Sequence, residues 1–194
     1  MLQNIKGVIF DLDGTLVSSS LDFSSIRKEI GCPANNDILS FVDEITCADD
    51  RNEANRVIET TELDDAVSAD WLDGANDLLQ YLSEKQIKLA IVTRNSHEPC
   101  NIKLGEYRTM FDIVYTRDDF PPKPAPDALL NIASHWAHGV DELIYVGDFI
   151  YDVLAAENAG MKSCLVSEKV YENIEPDIHI RTLPELKDLF AEIW

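Results

Sequence analysis

The sequence predicts a doubly wound α/β fold, a parallel sheet with helices on both faces, interrupted once by a small α-helical insertion. Three observations carry this expectation. Short continuous apolar runs, among them Val8-Ile9-Phe10 and Leu143-Ile144-Tyr145-Val146, have the length and character of strands buried on both faces. They alternate with stretches whose apolar residues recur at helical spacing, such as Leu78, Leu79 and Leu82. Three of the runs pass directly into Asp11, Thr93 or Asp148, at the strand ends outside which an open parallel sheet binds its ligands.

Taken in order, residues 5–10 read as the first strand, ending in Asp11-Leu12-Asp13-Gly14-Thr15. From Val17 to about Ala69 no strand-like run occurs, and Ile38, Phe41, Val42 and Ile45 follow a helical period. Candidate helices cover 22–30, 35–46 and 51–66, with Gly31-Cys32-Pro33 separating the first two. Residues 17–69 are therefore expected to form the insertion, and 1–16 with 70–194 the α/β core. A helix face at Ala75, Leu78, Leu79 and Leu82 leads into the strand Ile87-Lys88-Leu89-Ala90-Ile91-Val92-Thr93. A helix over 97–108, a strand over 112–116, the break Pro121-Pro122-Lys123-Pro124 and a helix over 126–138 follow. After the strand at 143–146 come a helix through Ala159-Gly160, a strand at 162–166, an irregular acidic stretch and a last helix with Leu186, Leu189, Phe190 and Ile193 on one face.

The 194 residues suit one substantial core plus a modest insertion, and 45% apolar content supports a globular chain. The net charge of −20, from 36 acids against 16 bases, opposes nucleic acid and anionic membrane surfaces. The same field opposes a phosphorylated substrate, so a phosphate site here needs a divalent cation, a lysine and backbone N–H groups close by. No basic-then-apolar leader and no apolar run of about 18 residues is present, and a cytoplasmic protein is expected. Cys32, Cys47, Cys100 and Cys164 are widely spaced and read as free thiols.

The chemistry concentrates at four places. Asp11 and Asp13, one residue apart where a chain turns at Gly14, are placed for one to attack and the other to shuttle a proton. Thr93 puts a hydroxyl and the N–H groups after it at the same sheet edge, and Arg94 follows it. Prolines on both sides of Lys123 present its ammonium from a stiff loop. Asp148 and Asp152, four apart where a strand passes into a helix, are able to serve one hard cation and its surroundings.

Val8-Ile9-Phe10-Asp11-Leu12-Asp13-Gly14-Thr15 resembles motif I of the haloacid dehalogenase superfamily, a phosphatase-rich group. Thr93 resembles its motif II, Lys123-Pro124-Ala125-Pro126 its motif III, and Gly147-Asp148-Phe149-Ile150-Tyr151-Asp152 its motif IV, in the right order. The resemblance implies a Rossmann-like core with 17–69 as a short mobile cap. It further implies Mg²⁺-dependent phosphatase action on a small phosphorylated metabolite, close to the phosphoglycolate phosphatase-like branch, through an aspartyl-phosphate. Asp11 is then the nucleophile and Asp13 the general acid and base. Thr93, Arg94 and Lys123 bind phosphate; Asp11, Asp13 through its backbone carbonyl, and Asp148 hold the metal, and Asp152 positions a metal-bound water or Lys123. Phe149 departs from the pattern, standing where relatives often carry a small polar residue.

Other readings weigh less. His135 and His138 have metal-compatible helical spacing, but histidines near a helix C-terminus already have a dipole rationale. Arg27, Arg51 and Arg56 are the cationic candidates for substrate contact within the insertion. A phosphomutase is the nearest alternative function. A receiver-like regulatory module is a second, disfavoured by the helical insertion directly after Asp13. Oligomeric state is not encoded in any of these features.

Overall fold

In the computed structural model, which describes residues 2–193, six strands form one all-parallel sheet in the order β3-β2-β1-β4-β5-β6. The strands are β1 (Gly7–Phe10), β2 (Lys88–Val92), β3 (Ile113–Tyr115), β4 (Leu143–Gly147), β5 (Lys162–Val166) and β6 (Ile178–Ile180). Eight α-helices lie among the described residues: α1 (Phe23–Ile30), α2 (Ile38–Asp43), α3 (Ala48–Ser68), α4 (Ala75–Glu84), α5 (His97–Leu104), α6 (Asp127–Trp136), α7 (Ile150–Ala159) and α8 (Leu183–Ala191). The chain winds from β1 through β2 to β3, then crosses back to lay β4 beside β1. The reversal of direction therefore falls between β1 and β4, the crevice where doubly wound sheets bind ligands.

The pleat of the central strands divides the core in two. Val8 and Phe10 of β1 join Ile144 and Val146 of β4 on the face covered by Leu78, Leu79, Leu82, Leu186 and Phe190 of α4 and α8. Ile9 and Tyr145 point the other way, against Leu129, Ile132, Ala155 and Ala156 of α6 and α7. Helices α1 to α3 bury a third cluster of their own, centred on Ile26, Ile38, Val42 and Ile58. The two chain passages between this helical unit and the sheet pair briefly with each other: Leu72 N–H donates to Leu16 at 2.9 Å, and Ser18 N–H to Asp70 at 2.7 Å.

The differences from the sequence expectation are local. The acidic stretch before the last helix contains β6, a three-residue strand whose Ile178-His179-Ile180 alternation is too short to stand out in the sequence. The helix expected over 97–108 ends at Leu104, where Gly105 takes a positive φ and the chain tightens to 3₁₀ geometry through Met110. The expected 35–46 helix spans only Ile38–Asp43, because Asp37 caps it by accepting from Ser40 N–H at 3.0 Å.

Leu79 is fully buried and Val67, on the longest helix, is 80% exposed. Leu79→Ala is expected to lower stability by about 2–5 kcal/mol. Val67→Ser should stay within about 0.5 kcal/mol of the parent. Urea denaturation followed by circular dichroism checks both.

Candidate active site

Asp11, Thr93 and Asp148 each occupy the first position beyond a strand, and the ladder holds them there. Asp11 N–H donates to Val146 at 2.8 Å and Thr93 N–H to Tyr115 at 3.0 Å. The three side chains thus meet above the crevice between β1 and its neighbours. Gly14 makes the turn that follows Asp11 at φ +76°, a conformation that L side chains rarely adopt. A Cβ there would also stand 2.5 Å from Asp148 Oδ2, so the glycine lets this turn approach the Asp148 carboxylate. Gly147 serves Asp152 in the same way, because a Cβ at 147 would overlap that carboxylate.

Lys123 is the hub of the arrangement. Its ammonium lies 2.7 Å from Asp11 Oδ1 and 2.6 Å from Asp152 Oδ1. Asp152 is further fixed by Phe149 N–H at 3.0 Å and by the Tyr145 hydroxyl at 3.2 Å, which also lies 2.9 Å from the Val92 carbonyl. Among the described residues, Asp11, Asp148 and Asp152 are the one set of three or more potential ligands whose atoms converge, all within 4.8 Å of one another. His135 and His138 take no part in it.

Crowding this close and this dry disfavours the charged forms of Asp11 and Asp148. Burial, opposed by Lys123 and reinforced by Asp152 and Asp148, holds the Asp11 carboxyl well above the ordinary range. Burial and the Asp152 charge push Asp148 up to about 6. Burial works against the Lys123 ammonium, but the Asp11 and Asp152 charges prevail and raise its pKa. One lysine leaves this cluster short of positive charge, and a hard divalent cation is the group that its oxygen donors fit.

Asp13 points elsewhere. Its carboxylate accepts from Asn95 Nδ2 and from Lys103 Nζ, and Lys103 also lies 2.6 Å from Asp65 on α3. The Lys103 side chain is wholly buried. Burial raises the Asp13 pKa despite the opposing Lys103 and Asn95 contacts. Against burial, hydrogen bonds from Lys103 and Ser20 hold Asp65 below the usual carboxylate range. Two further links join the helical unit to the sheet edge: Glu62 binds Arg117 and the Ser96 hydroxyl, and Asp37 meets Arg94 at 2.6 Å.

Asp11, Asp13, Thr93, Arg94, Lys123, Asp148 and Asp152 line, with Arg27, one cleft of about 480 Å³ between the helical unit and the sheet edge, whereas Arg51, Arg56, His135 and His138 lie outside it. Arg56 instead pairs with Glu53 at the surface, and Arg51 donates to the Ile45 carbonyl at 3.0 Å. Asn95, Lys103, Glu62, Asp65, Arg117 and Tyr145 were not picked out from sequence. Spacing carried a signal for three of them. Lys103 shares the i, i+3, i+4 stripe of Cys100 and Leu104, and Glu62 and Asp65 continue the stripe of Ala54 and Ile58, so charged residues stood on two inward faces.

Comparison with known proteins agrees with this architecture. The sequence profile of haloacid dehalogenase-like hydrolases matches residues 18–166. An uncharacterized hydrolase of Saccharomyces cerevisiae is 33% identical over 99% of this chain and 94% of its own length. The pyrophosphatase PpaX of Halalkalibacterium halodurans is 30% identical over 96% of this chain and 97% of its own. The crystal structure of a HAD phosphatase from Thermococcus onnurineus superposes with a TM-score of 0.70 at 23% identity, covering 96% of this chain and 98% of that one.

Removing Lys103 would strand the buried Asp65 carboxylate and the partly buried one of Asp13. Lys103→Ala is expected to cost about 3–5 kcal/mol, the range for breaking a buried ion pair from one side. Arg56→Ala, at an exposed pair, should leave the melting temperature unchanged. Differential scanning calorimetry of the two variants makes the comparison.

Proposed function

The chain belongs to the haloacid dehalogenase-like hydrolases and is a phosphoric monoester hydrolase; on that premise we propose that it cleaves a small phosphorylated metabolite, with Mg²⁺ bound, through a phosphoryl group carried on Asp11. The observation that supports this most is the position of Lys123, shared between Asp11 and Asp152 in a pocket where Asp148 adds a third carboxylate. A nucleophilic carboxylate needs a neighbouring cation to receive a dianionic phosphate, and here that cation is fixed from a proline-bounded loop.

In this mechanism Asp11 attacks phosphorus in line with the departing oxygen, and its Oδ–P bond forms as the P–O bond to the alcohol breaks. Asp13 gives its proton to the leaving alkoxide. Burial that holds its carboxyl above the ordinary range suits that task, and Lys103 and Asn95 fix its orientation. Asp13 then takes a proton from water, which attacks phosphorus, frees phosphate and restores Asp11. Lys123 and the Thr93 hydroxyl hold the equatorial oxygens. Asp11, Asp148 and the Asp13 backbone carbonyl would hold Mg²⁺, with Asp152 steadying Lys123. Bound there, the ion offsets negative charge on the phosphoryl oxygens.

Residues 17–69 act in this reading as the cap over the core formed by 1–16 and 70–194. The Asp65–Lys103–Asp13 link is its mechanical significance: the helix that roofs the cleft and the acid that protonates the leaving group share one buried ammonium. Cap position and acid orientation are thereby set together. Arg94 is held to Asp37 of the cap, which makes it a strap between the two parts as much as a phosphate contact.

Asp11→Asn should lower kcat for phosphate release at least about a hundredfold with the fold retained. Asp13→Asn should slow an alkyl ester more than an aryl ester, whose leaving group needs little protonation. Equal losses on the two esters would contradict the acid role. Asp148, with its pKa at about 6 before metal binds, must lose its proton to become a ligand. The apparent Kd for Mg²⁺, measured by calorimetry, should therefore rise by at least about tenfold per pH unit as pH falls below 6.

A further inference from the structure

The cleft has an apolar wall that nothing in the chemistry above requires. Among the described residues, the large hydrophobic side chains exposed to solvent are six, and two of them, Phe23 at 54% and Phe149 at 45%, line this one cleft. Phe23 opens α1 in the cap, while Phe149 stands beside Asp148 at the sheet edge, so the two come to the cleft from opposite parts of the molecule. Leu21, Leu39 and Tyr151 extend the wall. Phe149 is held edge-on to Tyr151 at 5.2 Å and to Tyr171 at 6.1 Å, which fixes the ring in place. Paired exposed aromatics in a concave site next to the reacting group are a binding feature rather than incidental surface.

The cleft's cations point the same way, because two of the three are already paired with carboxylates. Lys123 is committed to the phosphoryl position. Arg94 is paired with Asp37 and lies over the Tyr151 ring at 4.8 Å. Arg27 donates to the carbonyls of Phe23 and Asn36 at 3.4 and 3.3 Å, and its Nε is buried without a hydrogen-bond partner. Asp37 and Glu62 add carboxylates to the lining. A second anionic group on the substrate, a carboxylate or another phosphate, would thus have to compete with Asp37 for Arg94 and with two backbone carbonyls for Arg27.

Resting on the phosphatase reading above, we propose that the preferred substrate is a monophosphate ester whose alcohol bears an aromatic or comparably bulky apolar group, seated between Phe23 and Phe149. Substrates with a second anion, phosphoglycolate and pyrophosphate among them, are selected against.

Two measurements test this and separate it from the phosphatase reading. The first is calorimetric binding of 3-phenylpropylphosphonate and n-propylphosphonate with Mg²⁺ present, which needs no turnover. The phenyl compound should bind about tenfold more tightly, the discrimination that an apolar pocket gives. Phe23→Ser and Phe149→Ser, both at exposed positions, should narrow that ratio. The second is kcat/KM for 2-phenylethyl phosphate against phosphoglycolate and glycerol 3-phosphate, all esters of alcohols, where the phenyl ester should lead by about tenfold. Equal binding of the two phosphonates, or a lead for phosphoglycolate, overturns the proposed subsite while leaving the phosphatase reading intact. Tight phenyl-selective binding with no ester hydrolysed would uphold the subsite and overturn the phosphatase reading instead.

Discussion

The structure depends on one electrostatic constraint: three carboxylates, Asp11, Asp148 and Asp152, are held with ligand atoms within 4.8 Å at the mouth of a parallel sheet, with Lys123 between two of them. Mutual repulsion in a desolvated setting would drive such acids apart or protonate them. The scaffold prevents the first outcome. Asp11 and Asp148 sit one residue past adjacent central strands, and Asp152 sits on the first turn of α7, bonded to Phe149 N–H and close to the Tyr145 hydroxyl. The glycines at 14 and 147 are what allow the carboxylates this close to the backbone.

The same economy of charge governs how the helical insertion meets the core. A chain carrying −20 would be expected to repel itself at every contact, yet each of three junctions places a base between acids or against one. Lys103 lies between Asp13 and Asp65, Arg117 against Glu62, and Arg94 against Asp37. Of these, the Lys103 junction reaches Asp13, two positions from Asp11, so the fit of the helical insertion and the orientation of Asp13 share a single buried ammonium. The apolar wall formed by Phe23 and Phe149 spans the same junction, which makes the cleft complete only when both parts contribute.

Much of this was legible in the sequence because the relevant signals are local. Apolar runs that end in polar residues mark both the strand and its carboxyl-end edge, which is why Asp11, Thr93 and Asp148 were placed together with β1, β2 and β4. What escaped was long-range. Nothing near Lys103 marks it as the partner of Asp13, 90 positions away, and a lysine on a helix ordinarily reads as solvated. Its place on the Cys100–Leu104 stripe acquires meaning only when α3 is known to supply Asp65 opposite it. Strand β6 escaped for another reason, since three residues at a sheet edge draw their order from β5 rather than from their own pattern.

The central claim is that Asp11 carries the phosphoryl group between substrate and water. Its most direct test is mass spectrometry of the Asp13→Asn protein, acid-quenched during reaction with an aryl phosphate and Mg²⁺, conditions that favour formation of the intermediate over its hydrolysis. The account predicts one added phosphoryl group on the peptide containing Asp11, absent when Asp11 is also replaced by Asn. Phosphate release at an undiminished single-turnover rate with no label on that peptide would contradict it.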